Sequence, residues 1–446
     1  MKTWKKILAL LLTLAMVLSM AACGSGKDPG SGSSAGTDAA NTGTDLEASD
    51  GSEPTTIYFC NYMVLETAHT DYWNRLIADF EKEHPEYRVE VVSAAYNDVL
   101  TYVTTRVGGG EKVDCMIGEV EWNQVLASNG ITSPVSTVLD ADLLAQFDPD
   151  VLDCYNYDGE CYGLPLYLSN LIVYANKNYL EQAGLDYANP PRTDKELLEW
   201  CEKLQGVKDA SSEQVTAFGI SMAEKTAPGS FLKSLIYAFG GQILDENGRL
   251  SLDNQGFEEA LAFIKECTDK GYSPVNSLPK DFRPGMASGK VAMYVDQTWG
   301  FSGVYSVDPN ATDYVVSFPI PNMGTSGTGA TSLSATTLYV NDNGGKEAEG
   351  TREFVKFIMD YDETWQHAYE TTPAYYCYEG AADKELSPVL AGAKDSAFNL
   401  KVETYLPEQD AFQIAIATMI NSICMGEAAR QEAVEKFTNT VTPLLP

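Results

Sequence analysis

From Thr55 onward, short strand-like runs alternate with amphipathic helices, and this alternation limits the folds open to the chain more than any other feature. TTIYFC (55–60) reads as a strand. TDYWNRLIADFEKEHP (70–85) then places Trp73, Leu76, Ile77 and Phe80 on one helical face and stops before Pro85. YRVEVVSA (87–94) is a strand, 97–107 a helix, VDCMIG (113–118) a strand, and 122–129 a helix ending at Gly130. A second series follows: LIVYA (171–175), a helix ending at Gly184, and DKELLEWCEKL (194–204) opened by a capping box at Thr193 and Glu196. FEEALAFIKECTDKG (257–271) carries Phe257, Leu261 and Ile264 on one face and stops at Gly271. VAMYV (291–295) then delivers Asp296, Gln297, Thr298 and Trp299 at its end. Such alternation implies an α/β fold with mostly parallel sheets flanked by helices.

Ligands of such sheets bind beyond the carboxyl ends of the strands. That rule singles out Asn61, Tyr62 and Glu66, then Tyr96 and Asn97, then Glu119, Glu121 and Trp122. The body from 54 to 446 exceeds the size at which one core stops growing, so two lobes are expected.

The N-terminal segment has its own logic. Lys2, Lys5 and Lys6 precede an apolar run from Ile7 to Met20, too short for a comfortable span and right for a secretory signal. Met20-Ala21-Ala22-Cys23 resembles the bacterial lipobox, in which the cysteine sulfur takes a diacylglycerol through a thioether. Residues 1–22 are thus expected to be a signal peptide and Cys23 the lipid attachment. The alternative is an ordinary secreted chain cleaved near Ala22. Residues 23–53 follow as a tether; beyond Cys23 they hold no aromatic residue and one large aliphatic, Leu46. Such a segment buries too little to offset its ordering entropy, and as a coil it would reach roughly 30 Å.

Composition excludes several functions. Net charge is −33, or −36 without the three lysines of the signal segment, which argues against nucleic acid as a partner. Of nine cysteines, the eight beyond Cys23 form no disulfide framework and no CxxC zinc site. Cys154 and Cys161 flank a hairpin turn at Asp158-Gly159 and sit diagonally, too far for a relaxed bridge, so free and mostly buried thiols are expected. DENGRLSL (245–252) reads as a tight hairpin without the ligand spacing of a calcium loop. The three histidines, His69, His84 and His367, suit neither a metal pair nor a triad, and no nucleophile elbow, HExxH or phosphate loop occurs. No catalytic residue, metal or cofactor is assigned. A paired-carboxylate glycosidase stays open, because 63 acidic residues allow many pairs. The contrary signal is 25 Tyr, 16 Phe and 6 Trp, since flat rings stack on sugar faces while carboxylates and amides bind hydroxyls. Trp299, after a strand end in DQTWG, is the foremost ligand contact; Tyr62, Trp122, Tyr167 and Tyr375 follow.

Several ordered signatures resemble the extracellular solute-binding proteins of ABC importers, in the branch that includes maltose-binding protein. They are YGLPLYLSNLIVYANKNYLEQAGLDYANPPRTDKEL, ALAFIKECTDKGYSP, GKVAMYVDQTWG, FPIPNMGTSGTGATSLSATTLYV, REFVKFIMD and INSICMGEAARQEAVEKF. The resemblance spans 54–446 and implies two α/β lobes with a ligand cleft between them. The first lobe takes 54–168 and 331–372, the second 169–330 and 373–446. Carried over position by position, Glu121 matches an acidic sugar ligand, Ser169 falls on the first crossing between lobes, and Trp299 matches a stacking tryptophan. Phe231 lies near a segment that contributes aromatic contacts, and Asn170, Asp296 and Gln297 are expected to donate or accept hydrogen bonds.

The pattern departs at three places. Gln297-Thr298-Trp299 stands for a Gly-x-Trp turn, Pro373-Ala374-Tyr375 for Pro-Ala-Arg, and Gln413 for a late-helix tryptophan. Maltose itself is therefore not implied. The resemblance implies a monomeric receptor, lipid-anchored on the outer face of a Gram-positive membrane, that binds a carbohydrate and delivers it to ABC permease subunits. Two alternatives stand beside it. The same fold would bind a polyamine, peptide or other small solute if the cleft is net acidic, or the chain is a surface glycan-degrading lipoprotein.

Overall fold

The computed structural model describes residues 53–445 apart from 246, 398, 402–405 and 407. The signal segment 1–22, Cys23 and the tether as far as residue 52 lie outside the described residues. The first sheet takes its strands from both ends of the chain. They are β1 (Thr55–Cys60), β2 (Tyr87–Val92), β3 (Cys115–Glu119), β4 (Gly163–Ser169) and, much later, β8 (Ser334–Val340), in the order β2-β1-β3-β8-β4. The second sheet is β5 (Leu171–Asn176) flanked by β6 (Met293–Gln297) and β7 (Val315–Pro319). Residues 216 and 219 add parallel bridges to the β6 side, at Val291 and Tyr294.

The parallel pairing expected from the alternation holds for β1 with β2 and β3. One strand of each sheet runs the other way. β8 is antiparallel to β3 and β4, and β5 is antiparallel to β6 and β7. The cause is the route of the chain. β5 enters the second sheet directly from the first, with only Asn170 between Ser169 and Leu171. β8 re-enters the first sheet from β7. A strand arriving from the other lobe enters at the edge where its neighbours end, and so must oppose them. The carboxyl ends of β1, β2, β3 and β4 and the amino end of β8 therefore share one edge. The carboxyl ends of β6 and β7 and the amino end of β5 share the facing one.

Helices cover both sheets. Thr67–Glu83 (α1) buries Tyr72, Trp73, Leu76 and Phe80, and Gly345–Asp360 (α4) buries Phe354, Val355 and Ile358. Phe59 of β1 lies between them, its ring 5.4 Å from Trp73 and 5.1 Å from Phe354. α1 begins three residues before the expected Thr70. The second core gathers around Thr226–Ala238 (α3), 255–269 and Gln409–Cys424 (α5). Thr193 caps the helix as expected, its Oγ1 accepting from Glu196 N at 3.2 Å. The reciprocal half of the expected capping box falls one residue early: Glu196 Oε2 accepts from Arg192 N at 2.7 Å instead of from Thr193 N. Asp158 and Gly159, both at positive φ, turn the short hairpin, and Asp245 closes the second hairpin by accepting from Asn247 and Arg249. Cys154 is not on the first hairpin's strand as expected: it ends the helix Pro149–Asp153. The eight cysteines among the described residues are free.

α3 and α5 approach so closely that a Cβ on Gly229 would lie 1.9 Å from the Gln413 carbonyl oxygen. That oxygen is backbone and cannot swing away. Gly229→Ala is expected to cost about 1–3 kcal/mol, read as a lower urea midpoint; an unchanged midpoint would mean the helices are free to part.

Candidate functional site

The shared strand edges frame a pocket of about 400 Å³. Each wall residue is placed by the element before it. β1 ends at Cys60, and Asn61 caps the short helical turn that follows, its Oδ1 accepting from Met63 N at 2.9 Å. That turn puts Tyr62 over the end of β3, where its hydroxyl donates to Glu119 Oε1 at 2.6 Å. Tyr96, opening the helix Tyr96–Gly108 (α2) after β2, meets Tyr62 edge-on at 5.2 Å and Trp122 at 5.9 Å. Three rings from three strand ends thus form one cluster. Tyr167 and Ser169 of β4 and Ser334 and Thr336 of β8 supply the floor, and Thr371, Thr372 and Ala374 close one side.

The opposite wall comes from the second sheet. A single helical turn after β6, Thr298–Gly300, presents Trp299, which is 37% exposed, with Ser302 beside it. Its position is fixed from behind. Asp296 is fully buried and takes a two-pronged pair from Arg283, Nε to Oδ2 at 2.7 Å and a terminal nitrogen to Oδ1 at 3.0 Å. The same guanidinium lies over the Trp299 ring, 4.8 Å from its centroid. Gly300 permits this packing, since a Cβ there would meet Asp296 Oδ2 at 2.3 Å. Ser169 ties the turn to the crossing: it donates to Gln297 Oε1 at 2.7 Å and accepts from the Thr298 hydroxyl at 2.9 Å.

The electrostatics are lopsided. Among the described residues no lysine or arginine lines the pocket, whereas Glu66 and Glu119 do. Burial, with the Glu121 charge nearby, pushes Glu119 up to about 8 against the pull of the Tyr62 hydrogen bond. Partial burial raises Glu66 as well. Tyr96 is held well above its ordinary range by Glu119 first, then by burial and by Glu121, Asp410 and Glu66. His69, also on the wall, hydrogen-bonds His367 ring to ring at 2.7 Å, and Tyr72 stacks on His367 at 4.3 Å. Burial lowers His69 to about 4 and His367 to about 3, the latter also through His69 and Arg75. Among the described residues no group of three or more His, Cys, Asp or Glu could hold a metal ion.

The expected site residues separate into those on the wall and those behind it. Tyr62, Tyr167, Ser169 and Trp299 line the pocket. Trp122 is buried in the ring cluster, and the charge of Glu121 reaches both Glu119 and Tyr96. Gln297 and Asp296 stand behind Trp299. Asn170 is buried in the crossing, donating to the Ser396 carbonyl at 2.9 Å. Tyr375 is buried too, its hydroxyl donating to the Ala393 carbonyl and its backbone paired with Leu168. Phe231 lies within the second core, on α3. Polar wall residues that the sequence did not single out for the site are His69, Ser302, Ser334, Thr336, Thr371 and Thr372. The i, i+2 spacing of Ser334 and Thr336 at the start of SATTLYV, which puts both hydroxyls on one face of the strand, was the one signal that could have found two of them.

The histidine pair makes stability acid-sensitive. Both folded values lie below the ordinary 6.5, so as pH falls from about 6.5 the unfolded chain gains protons that the folded chain refuses. Stability is expected to drop between pH 6.5 and 4, and a His69→Asn/His367→Gln variant to lose less over that range in thermal unfolding. An identical pH slope in the variant would exonerate the pair.

Comparison with known proteins agrees with this geometry. The family model described as bacterial extracellular solute-binding protein matches residues 66–363. A binding protein of Brucella abortus (strain 2308) is 25% identical over 287 residues, 64% of this chain and 68% of that one. The arabinooligosaccharide-binding protein of Halalkalibacterium halodurans is 22% identical over 419 residues, 84% and 86% of the two chains. Among solved structures, the cyclic alpha-maltosyl-1,6-maltose binding protein of Arthrobacter globiformis superposes with a TM-score of 0.72 at 18% identity, covering 88% of this chain and 99% of that one. Two lobes, a cleft at their facing strand ends and a family match across most of both series of elements leave one conclusion: the chain belongs to the bacterial extracellular solute-binding proteins.

Proposed function

We propose that this protein is a lipid-anchored extracellular receptor that binds a carbohydrate between its lobes and delivers it to an ABC permease. The observation that carries the reading is the pocket itself. Aromatic rings and hydrogen-bonding side chains from both sheets converge at the strand ends, on elements that no catalytic motif occupies. Trp299 and the Tyr62–Tyr96–Trp122 cluster offer faces on which a sugar ring stacks, and Glu119, Ser169, Ser334 and Thr336 reach for hydroxyls. The names of the relatives support the sugar class, since one binds arabinooligosaccharides and one a cyclic maltosyl sugar.

Binding is noncovalent, and closure of the lobes about the Asn170 crossing buries the ligand. The lobes are taken as 54–168 with 331–372 and 169–330 with 373–446. ATP hydrolysis belongs to the permease partner. Lipid on Cys23 plus a 30-residue leash holds the receptor near that partner, where effective concentration favours docking. Among the described residues no helix is long and apolar enough to cross a membrane, so on this reading the lipid is the anchor. A monomer on a Gram-positive surface fits the scheme.

Two measurements test it. Thermal unfolding of the purified full chain against mono- and oligosaccharides should show a melting shift with one sugar class, because ligand at 100 times its Kd adds about 2.7 kcal/mol. Trp299→Ala should keep the fold and weaken that ligand at least ~10-fold, a loss of about 1.4 kcal/mol. Unchanged affinity would remove Trp299 from the site, and hydrolysis of a glycan by the pure protein would replace the receptor reading with an enzymatic one. Cys23→Ser, expressed in a Gram-positive host, should abolish acyl labelling and release the protein to the medium; retention on the membrane would reject the anchor.

A further inference from the structure

Glu119 ends β3 on the pocket wall, and its two carboxyl oxygens have different surroundings. The Tyr339 hydroxyl of β8 donates to its backbone carbonyl at 2.8 Å, which holds the strand end in place. At the side chain, the Tyr62 hydroxyl donates to Oε1 at 2.6 Å. Among the described residues no other hydrogen bond reaches that carboxyl. One oxygen is thus taken from within the protein, and Oε2 is left to whatever enters the pocket.

The surroundings of that carboxyl favour a bound proton. Glu121, in the turn after β3, and Glu66, in the segment after β1, both act on it. Tyr96 faces it from α2, and Asp410 of α5 acts on Tyr96 in turn. His69, on the same wall, is hydrogen-bonded to His367 and has Glu66 3.6 Å from its Nε2. Acids so grouped resist ionising together, and burial adds to that resistance. The value of about 8 that results leaves Glu119 protonated at neutral pH, against the pull of the Tyr62 hydrogen bond.

Building on the receptor reading above, we infer that Glu119 is a specificity-determining residue that binds the carbohydrate as a neutral acid, accepting from Tyr62 at Oε1 and donating its own proton from Oε2 to an oxygen of the sugar. A carboxylate only accepts, whereas a neutral carboxyl offers one donor. The Ser and Thr hydroxyls of the wall serve either way, so Glu119 is what fixes the direction of one contact. The sugar oxygen it meets is an acceptor: a ring or glycosidic oxygen, or a hydroxyl whose own hydrogen points elsewhere. Once the proton leaves, two oxygens face each other with no hydrogen between them, and the contact turns repulsive. Tyr62 and Tyr96, held well above their ordinary range, keep their protons as pH rises through 8, and His69, lowered to about 4, is neutral throughout.

The test is calorimetric titration of the full chain with arabino-, malto- and manno-oligosaccharides between pH 6.5 and 9. The expected result is a sugar whose affinity is level near pH 7 and ~10-fold weaker at pH 9, one unit above the Glu119 value. Glu119→Gln, whose amide donates at every pH, should lose the alkaline fall; a fall that persists belongs to another group and overturns the donor role. Tyr62→Phe removes a hydrogen bond that favours the ionised form, so it should move the fall to higher pH. That variant decides the matter where Glu119→Gln does not fold, and an unmoved fall overturns the donor role. A sugar that binds with affinity flat to pH 9, or rising as the carboxylate forms, overturns it too and leaves the receptor reading standing. Binding of no sugar at any pH overturns the carbohydrate reading and the donor role together.

Discussion

The structure depends on a passage one residue long. Between Ser169 of the first sheet and Leu171 of the second stands only Asn170, whose amide is held by the Ser396 carbonyl. With no slack at that point, β5 must begin where β4 ends, so the strand ends of the two sheets face one another. The same geometry makes β5 and β8 run against their neighbours. It also concentrates at one place what strands and helices offer at their ends: unpaired backbone groups, loop side chains and helix openings. The cleft is a consequence of how the chain crosses, before any question of which side chains fill it.

What fills it is held by polar contacts drawn from behind the wall. Trp299 follows a strand end, sits on a turn that admits only glycine at its close, and lies under a guanidinium locked to a buried aspartate. A buried pair of that kind contributes little net stability, because desolvation offsets most of its attraction. Its effect is positional: the two-pronged contact allows one orientation of Arg283 and hence one orientation of the ring against it. Ser169 then ties the turn to the crossing through its hydrogen bonds to Gln297 and Thr298.

Much of this was legible beforehand. The alternation of TTIYFC, TDYWNRLIADFEKEHP and YRVEVVSA carries a period of two and then of 3.6, which backbone geometry turns directly into strands and helices. The rule that ligands lie beyond strand ends led to Tyr62, Tyr96, Glu119 and Trp299, all on the pocket wall. Asp296, Tyr375, Asn170 and Phe231 carry the same residue types and stand near the same strand ends or signatures, yet the fold turns them inward. Within a strand end or a loop the direction of a side chain depends on what packs against it, and those partners, Arg283, Ala393, Ser396 and the second core, come from distant sequence.

By itself, then, the sequence determined the classes of element, their order and the two series that become two lobes. Each of these rests on local periodicity or local composition. Tertiary structure alone decided which carboxylates share a cavity and which are neutralised. Glu119 and Asp296 are both acidic residues near strand ends, but one meets Glu121 and a tyrosine hydroxyl while the other meets a guanidinium thirteen residues away. Charge compensation depends on distance and burial, and neither is written in the local sequence.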